Sequence, residues 1–171
     1  MIVFDADTGA FKRMWGAYGK PPTDEKLTYN PDAPPSQQFG NPVHCVRLAR
    51  DGLVYVCDRQ NDRIQVFRKD GTFVKEFIVA KNTLANGSVW DLRLSIDPTQ
   101  TFLFNADGAN NEVRTLVRDT GEVVGAFGRN GRQAGEFHWV HNLAIDSKGN
   151  LYTTEVDTGK RAQKFRPLAA R

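Results

Sequence analysis

Phe67, Leu116 and Phe165 stand at a constant step of 49 residues, each closing a short β-type run. A step of about 40–50 residues marks units that cannot bury their apolar face alone and must stack on a neighbour. The surrounding residues repeat with it. Arg63-Ile64-Gln65-Val66-Phe67 returns as Glu112-Val113-Arg114-Thr115-Leu116 and as Arg161-Ala162-Gln163-Lys164-Phe165. Upstream, Asp51-Gly52-Leu53-Val54-Tyr55-Val56-Cys57-Asp58 returns as residues 148–155 and more weakly as residues 101–107.

The unit that opens at Phe39 shows what is being repeated. Four β-type runs, Val43 to Ala49, Leu53 to Cys57, Ile64 to Phe67 and Thr72 to Ile78, are separated by Arg50-Asp51-Gly52, Arg59 to Asp62 and Lys69-Asp70-Gly71. Asp, Asn and Gly at those points supply the positive φ angles of tight hairpin turns, so each unit is expected to be a four-stranded antiparallel meander. Val54-Tyr55-Val56-Cys57 is apolar without alternation, which predicts a strand covered on both faces, as in a sheet stacked between two others. Four short strands per repeat is the pattern of a propeller blade.

The runs Pro42-Val43-His44, Asp51 to Asp58, Asn61-Asp62-Arg63-Ile64-Gln65-Val66-Phe67 and Asp70-Gly71-Thr72-Phe73 resemble an NHL repeat, and Phe127 to Phe137 resembles the segment joining successive NHL blades. Trp90-Asp91 opens a strand where a WD40 blade would close one. The resemblance implies an all-β chain built of NHL-type β-propeller blades, half of a six-bladed propeller. Residues 1–171 read as one segment: 1–16 the closing strands of a blade, 39–80 and 88–128 two complete blades, and 138–171 a blade lacking its last strand. Three blades' worth of strands cannot close a ring, since propellers close with about four to eight blades. The expected partner is a second copy, with Phe11 to Trp15 completing the blade of residues 139–165 and Ile2 to Phe4 displaced or peripheral; the competing expectation is that the sequence is a piece of a longer chain.

A net charge of +3 is small for 171 residues, and the gathering of Lys160, Arg161, Lys164, Arg166 and Arg171 is not paired with a set of exposed aromatics. It reads as a solvated edge, and a nucleic-acid partner is not expected. Met1 to Asp7 has neither a basic nor an apolar leader region, and no run approaches a membrane span, so the chain as written is expected in the cytoplasm, and exported if an N-terminal segment is missing. Cys45 and Cys57 are expected as two small core residues, with a register that pairs them as the alternative. The connection from Ala17 to Gln38 carries Pro21, Pro22, Pro31, Pro34 and Pro35, which excludes strand and predicts either a lid over the channel mouth or a simple insertion.

First strands of blades line a common axis, so equivalent residues on them converge. His44, Trp90 and His141 are such equivalents, with Asp91, Arg47 and Arg93 on the same strands. The resemblance extends to the propeller of the peptidylglycine amidating lyases, where histidines at this position hold a catalytic zinc. It implies a channel site for zinc or calcium with His44 and His141 as metal ligands. Imidazole suits that role. Only two such histidines are present, and Phe102-Leu103-Phe104-Asn105 lacks the tyrosine the lyase pattern needs. Arg47 and Arg93 would either bind an anion in the channel or pair with Asp58 and Asp107. Asp58, Asp107 and Glu155 recur after each second strand and read as turn-binding groups. Two classes of function follow: a non-catalytic scaffold binding a protein, peptide or small ligand at its rim or channel, and a metal-dependent lyase or hydrolase working through the channel histidines.

Overall fold

The Asp-Gly steps turn as their residues dictate. Gly52 and Gly71 take φ of +87° and +97°, a region where a side chain costs strain, and the chain reverses there into antiparallel neighbours. The computed structural model describes residues 1–25 and 27–168; Arg171 of the basic gathering lies outside them. Within those residues the chain forms β1 (Ile2–Phe4), β2 (Phe11–Met14), β3 (Val43–Leu48), β4 (Val54–Asp58), β5 (Arg63–Phe67), β6 (Phe73–Ile78), β7 (Asp91–Leu94), β8 (Phe102–Asp107), β9 (Glu112–Val117), β10 (Val123–Phe127), β11 (Val140–Ile145), β12 (Leu151–Glu155) and β13 (Ala162–Phe165), with two single 3-10 turns as its helical content.

These strands make four antiparallel sheets, β1-β2, β3-β4-β5-β6, β7-β8-β9-β10 and β11-β12-β13, each a simple meander. Within one chain, β1 lies beside β2. It pairs with β2 in the register Ile2↔Met14 and Val3↔Arg13, and the Met1 ammonium donates to the Trp15 carbonyl at 2.6 Å.

Stacking buries one apolar layer between each pair of sheets. Val54, Val56 and Phe67 pack with Trp15 towards the first sheet, while Tyr55, Cys57, Ile64 and Val66 pack with Leu92, Leu103 and Leu116 towards the third. The continuous apolar run of β4 is thus covered on both faces, because alternate residues serve different layers. Phe137, Val140, Leu143 and Leu151 fill the layer between the last two sheets with Ala106 and Val113. Each such side chain contributes about 1.5–3 kcal/mol by leaving water. Ile2, Phe4, Phe11 and Met14 remain at least half exposed, since no sheet covers the outer side of β1-β2.

The recurrent acids hold the top turns. Asp58 accepts from the Gly40 N–H at 2.7 Å, Asn61 Nδ2 at 2.8 Å and Arg63 Nε at 2.7 Å. Asp107 accepts likewise from Asn110 and from Arg114 Nε at 3.1 Å, and Glu155 from Arg161 Nε at 2.8 Å and the His138 N–H. Burial pushes the Asp58 carboxyl up, and Arg63, Asn61 and the Gly40 N–H pull against that. A second latch joins consecutive sheets. Asp62 and Asn111, 49 residues apart, have φ of 51° and 58°, and their Oδ1 atoms accept the N–H of Ser88 and Trp139, both at 2.7 Å.

One expectation needs correction, and one pair of alternatives is decided. Cys45 and Cys57 are direct cross-strand partners, their Cα atoms 4.8 Å apart, and form a disulfide; the register of β3 on β4 brings together residues the sequence leaves twelve apart. The 17–38 connection is not a lid over the mouth. Tyr18 donates to Glu76 at 3.0 Å and receives from Arg63, Tyr29 donates to the Lys81 carbonyl at 2.6 Å, and Arg63 and Asn61 donate to the Gln38 carbonyl. These bonds strap it along the outer strands β5 and β6.

Candidate functional site

The channel strands β3, β7 and β11 converge, and a departure from regular pairing aims their leading side chains. On β3, Val43 pairs with Asp58 and Cys45 with Cys57, which leaves His44 as one extra residue; on β11, Val140 pairs with Glu155 and Asn142 with Thr154, which leaves His141. Both are β-bulges, and a bulge turns the extra side chain out of the pleat. Trp90 stands between them at the entry to β7, its N–H bound to the Ala106 carbonyl at 3.0 Å. The result is one aromatic cluster: the His44 and His141 rings lie 4.6 Å apart, with Trp90 at 5.7 and 5.3 Å from them and Trp139 at 6.2 Å from Trp90.

Hydrogen bonds fix the tautomer of both imidazoles. His44 Nδ1 is 2.5 Å from the Trp90 carbonyl oxygen and His141 Nδ1 is 2.8 Å from Asn142 Oδ1. Those oxygens only accept, so each Nδ1 carries the proton and each Nε2 presents a lone pair. Burial pushes His44 below its ordinary 6.5, aided by His141 and Arg59 and opposed by the Trp90 carbonyl and Asp91, so this ring is neutral at pH 7. Holding Nδ1–H on an oxygen is how proteins orient an imidazole for a ligand at Nε2. Among the described residues, no group of three or more His, Cys, Asp or Glu side chains is gathered for a metal. The mouth fits part of a metal shell, two imidazoles.

The walls are rigid. Trp90 Nε1 donates to the Gly87 carbonyl at 2.7 Å, and a Cβ on Gly108 would lie 2.6 Å from the Trp90 ring and 2.7 Å from the Val140 carbonyl. Trp139 holds φ of +53°, a costly conformation for a bulky side chain and one that persists only where its surroundings enforce it. Its N–H is bound by Asn111, and its ring stacks on His138 at 5.9 Å with 7° between planes. Arg59, which the sequence pattern does not single out, places its guanidinium 4.7 Å over the Trp90 ring.

Below the mouth, Asp91 is buried and fully engaged. Its Oδ1 accepts from Arg47 Nη2 and the Leu92 N–H and lies 3.5 Å from Arg93 Nη1, and its Oδ2 accepts the Leu143 N–H at 2.9 Å. Asp91 therefore ties β3, β7 and β11 together. Arg47 and Arg93 are both ion-paired to it, not to Asp58 and Asp107, whose oxygens are held by Arg63 and Arg114. Of the six channel candidates, the structure brings His44, Trp90 and His141 into one cluster and Asp91, Arg47 and Arg93 into another.

No protein-family model matches the chain. Three solved structures resemble it at low identity. A 6-phosphogluconolactonase-like protein from Bacteroides fragilis superposes with a TM-score of 0.54 at 14% identity, covering 96% of this chain and 59% of its own. A catalytically inactive virginiamycin B lyase from Staphylococcus aureus with quinupristin superposes with a TM-score of 0.53 at 14% identity, covering 97% and 54%. Kuenenia stuttgartiensis hydrazine synthase gives 0.53 at 16% identity, covering 71% and 33%. The chain spans between about a third and three fifths of these proteins. All three are propeller-type folds, and this chain has the β-propeller fold.

Proposed function

We propose that the chain is half of a six-bladed NHL-type propeller that binds a small ligand or peptide at its channel mouth. The observation that carries this reading is the pair of bulged histidines. Two imidazoles with Nδ1–H committed to oxygens present two acceptor nitrogens side by side, walled by Trp90 and Trp139. Such a cluster suits a flat ligand bearing N–H or O–H donors. The test is a panel of short peptides and amide or hydroxyl donors, read by tryptophan fluorescence on wild type, His44→Ala and His141→Ala. Binding that both variants weaken at least about tenfold, or about 1.4 kcal/mol, is expected; binding that neither changes overturns the assignment.

The same tautomers favour a second reading, a metal-dependent lyase or hydrolase. His44 and His141 would hold the ion through Nε2, a further ligand coming from elsewhere, and a zinc there supplies Lewis acidity and an acidified water. The virginiamycin B lyase neighbour supports a propeller of this kind working as an enzyme. Zinc titration at about pH 7.5, above the ordinary imidazole pKa, discriminates: equal affinity in wild type and both alanine variants removes this reading.

For assembly, a homodimer remains the reading, supported by the uncovered Ile2, Phe4, Phe11 and Met14. Two copies bring 26 strands where six blades need about 24, so β1 or β13 must yield its place in the shared blade. A monomer by light scattering at micromolar concentration would overturn it. The Cys45–Cys57 disulfide favours export over the cytoplasm, since such bonds persist in oxidising compartments. A thiol assay that finds two reactive cysteines in the unfolded, unreduced protein would reverse that.

A further inference from the structure

Among the described residues, Arg59 is a cation at this mouth that no acid answers. Arg59 lies over Trp90 at 4.7 Å, its Nε is fully buried without a hydrogen-bond partner, and among the described residues no carboxylate or carbonyl pairs with its guanidinium. Every neighbouring arginine is different. Arg63 spends its donors on Asp58, Tyr18, Glu76 and the Gln38 carbonyl; Arg47 spends its own on Asp91 and the Leu92 and Val46 carbonyls. A guanidinium has five N–H donors in its plane, and stacking on an indole uses its face and leaves that plane unspent.

The placement is built in. A Cβ on Gly87 would stand 1.9 Å from the Arg59 carbonyl oxygen, and Gly87 has φ of +69°, so the chain closes on the Arg59 turn only because that residue is glycine. The Gly87 carbonyl in turn fixes the Trp90 indole, the surface on which the guanidinium lies. Its charge is felt at His44. Below it, the Asp91 carboxylate is already shared by Arg47 and Arg93.

We infer that Arg59 is the anion-recognition group of the mouth, and that the ligand carries an oxyanion, a carboxylate or a phosphate, which the in-plane donors of Arg59 receive beside the His44 and His141 acceptors. This rests on the mouth being the ligand site. Arg–oxyanion pairs are bidentate and charge-assisted, and they dominate recognition where water is partly excluded. The ligand thus combines an anionic end with a donor-bearing part, the first read by Arg59 and the second by the imidazoles.

Trp90 lies directly under the guanidinium and reports occupancy. Sodium cyclohexanecarboxylate and inorganic phosphate are titrated separately, at constant ionic strength in chloride, into wild type, Arg59→Gln, Arg59→Lys and His44→Ala, with tryptophan fluorescence as the readout and a thermal melt confirming that each variant folds. Expected is saturable binding of at least one probe to wild type, a loss of at least about tenfold in Arg59→Gln, and partial retention in Arg59→Lys, which keeps the charge without the fork. Cyclohexanecarboxylate alone identifies a carboxylate ligand and phosphate alone a phosphorylated one. No saturable response in wild type, or equal affinity in Arg59→Gln, overturns the inference. If His44→Ala abolishes binding of a donor ligand while Arg59→Gln leaves it intact, the mouth stands as the site and only the anionic class fails; if neither variant matters, both readings fall.

Discussion

The top turns and the channel mouth are built from the same residue types and treat them in opposite ways. In the turns, Arg63, Arg114 and Arg161 each meet an acid one turn away, and Asp58, Asp107 and Glu155 each accept three hydrogen bonds. At the mouth, the buried Arg59 Nε has no partner among the described residues. A fold gains nothing from buried polar atoms left unpaired, since each costs about 1–3 kcal/mol. The turns answer their arginines with acids, whereas the mouth, the proposed ligand site, leaves the buried Arg59 Nε unanswered.

The largest break of this contrast is Arg63→Ala. It strands the Asp58 carboxylate in a site with essentially no solvent exposure, and a loss of about 3–5 kcal/mol is expected in urea unfolding, whereas Arg59→Ala, which strands no partner, is expected to lose less than about 1 kcal/mol. Equal losses would erase the distinction. Next, the disulfide pins the histidine-bearing strand β3 to β4 across a separation of twelve residues. Replacing both cysteines with alanine is expected to cost about 2–4 kcal/mol, measured as a lower urea midpoint in non-reducing buffer, with dithiothreitol lowering wild type to match.

A smaller effect sharpens the comparison, because one latch group breaks the pattern of the turns. Asp62 does for the second sheet what Asn111 does for the third, yet its Oδ2 is buried with no partner, and burial, with Asp107 nearby, pushes its pKa up to about 7. A carboxyl whose folded pKa exceeds its unfolded 3.8 holds its proton longer in the folded state, so stability is full below 3.8 and falls as pH rises towards about 7. Asp62→Asn is expected to remove that slope and to gain about 1–3 kcal/mol at pH 8 with little change at pH 4. Parallel stability profiles for the two proteins would show that Asp62 is not the source. The smallest effect belongs to His44: with its pKa held below 6.5 by burial, the unfolded state protonates first, so its contribution is present above 6.5 and fades as pH falls. His44→Ala is expected to flatten that limb by under about 1 kcal/mol, read from urea midpoints between pH 5 and 7.

What was legible in the sequence is local. Asp-Gly and Asn-Asp at fixed offsets dictate turns, apolar runs between them dictate strands, and a 49-residue step places equivalent residues at equivalent points, so the four-stranded meanders and the row His44, Trp90 and His141 could be read without coordinates. The turn-binding acids were legible for the same reason. The partners that cross between sheets were not. Asp91 gathering Arg47, Arg93 and the Leu143 N–H, the Cys45–Cys57 bond, and the strapping of residues 17–38 along β5 and β6 depend on which faces meet, and period-two patterns say which face is apolar without saying what lies opposite. Above all, the bulges at His44 and His141 are a single unpaired residue in each strand, invisible to periodicity, and the unanswered charge of Arg59 is defined only by its surroundings. Sequence determined the repeating unit because hydrogen-bonded turns are short-range; tertiary structure decided the site because convergence on an axis brings together residues nearly a hundred positions apart.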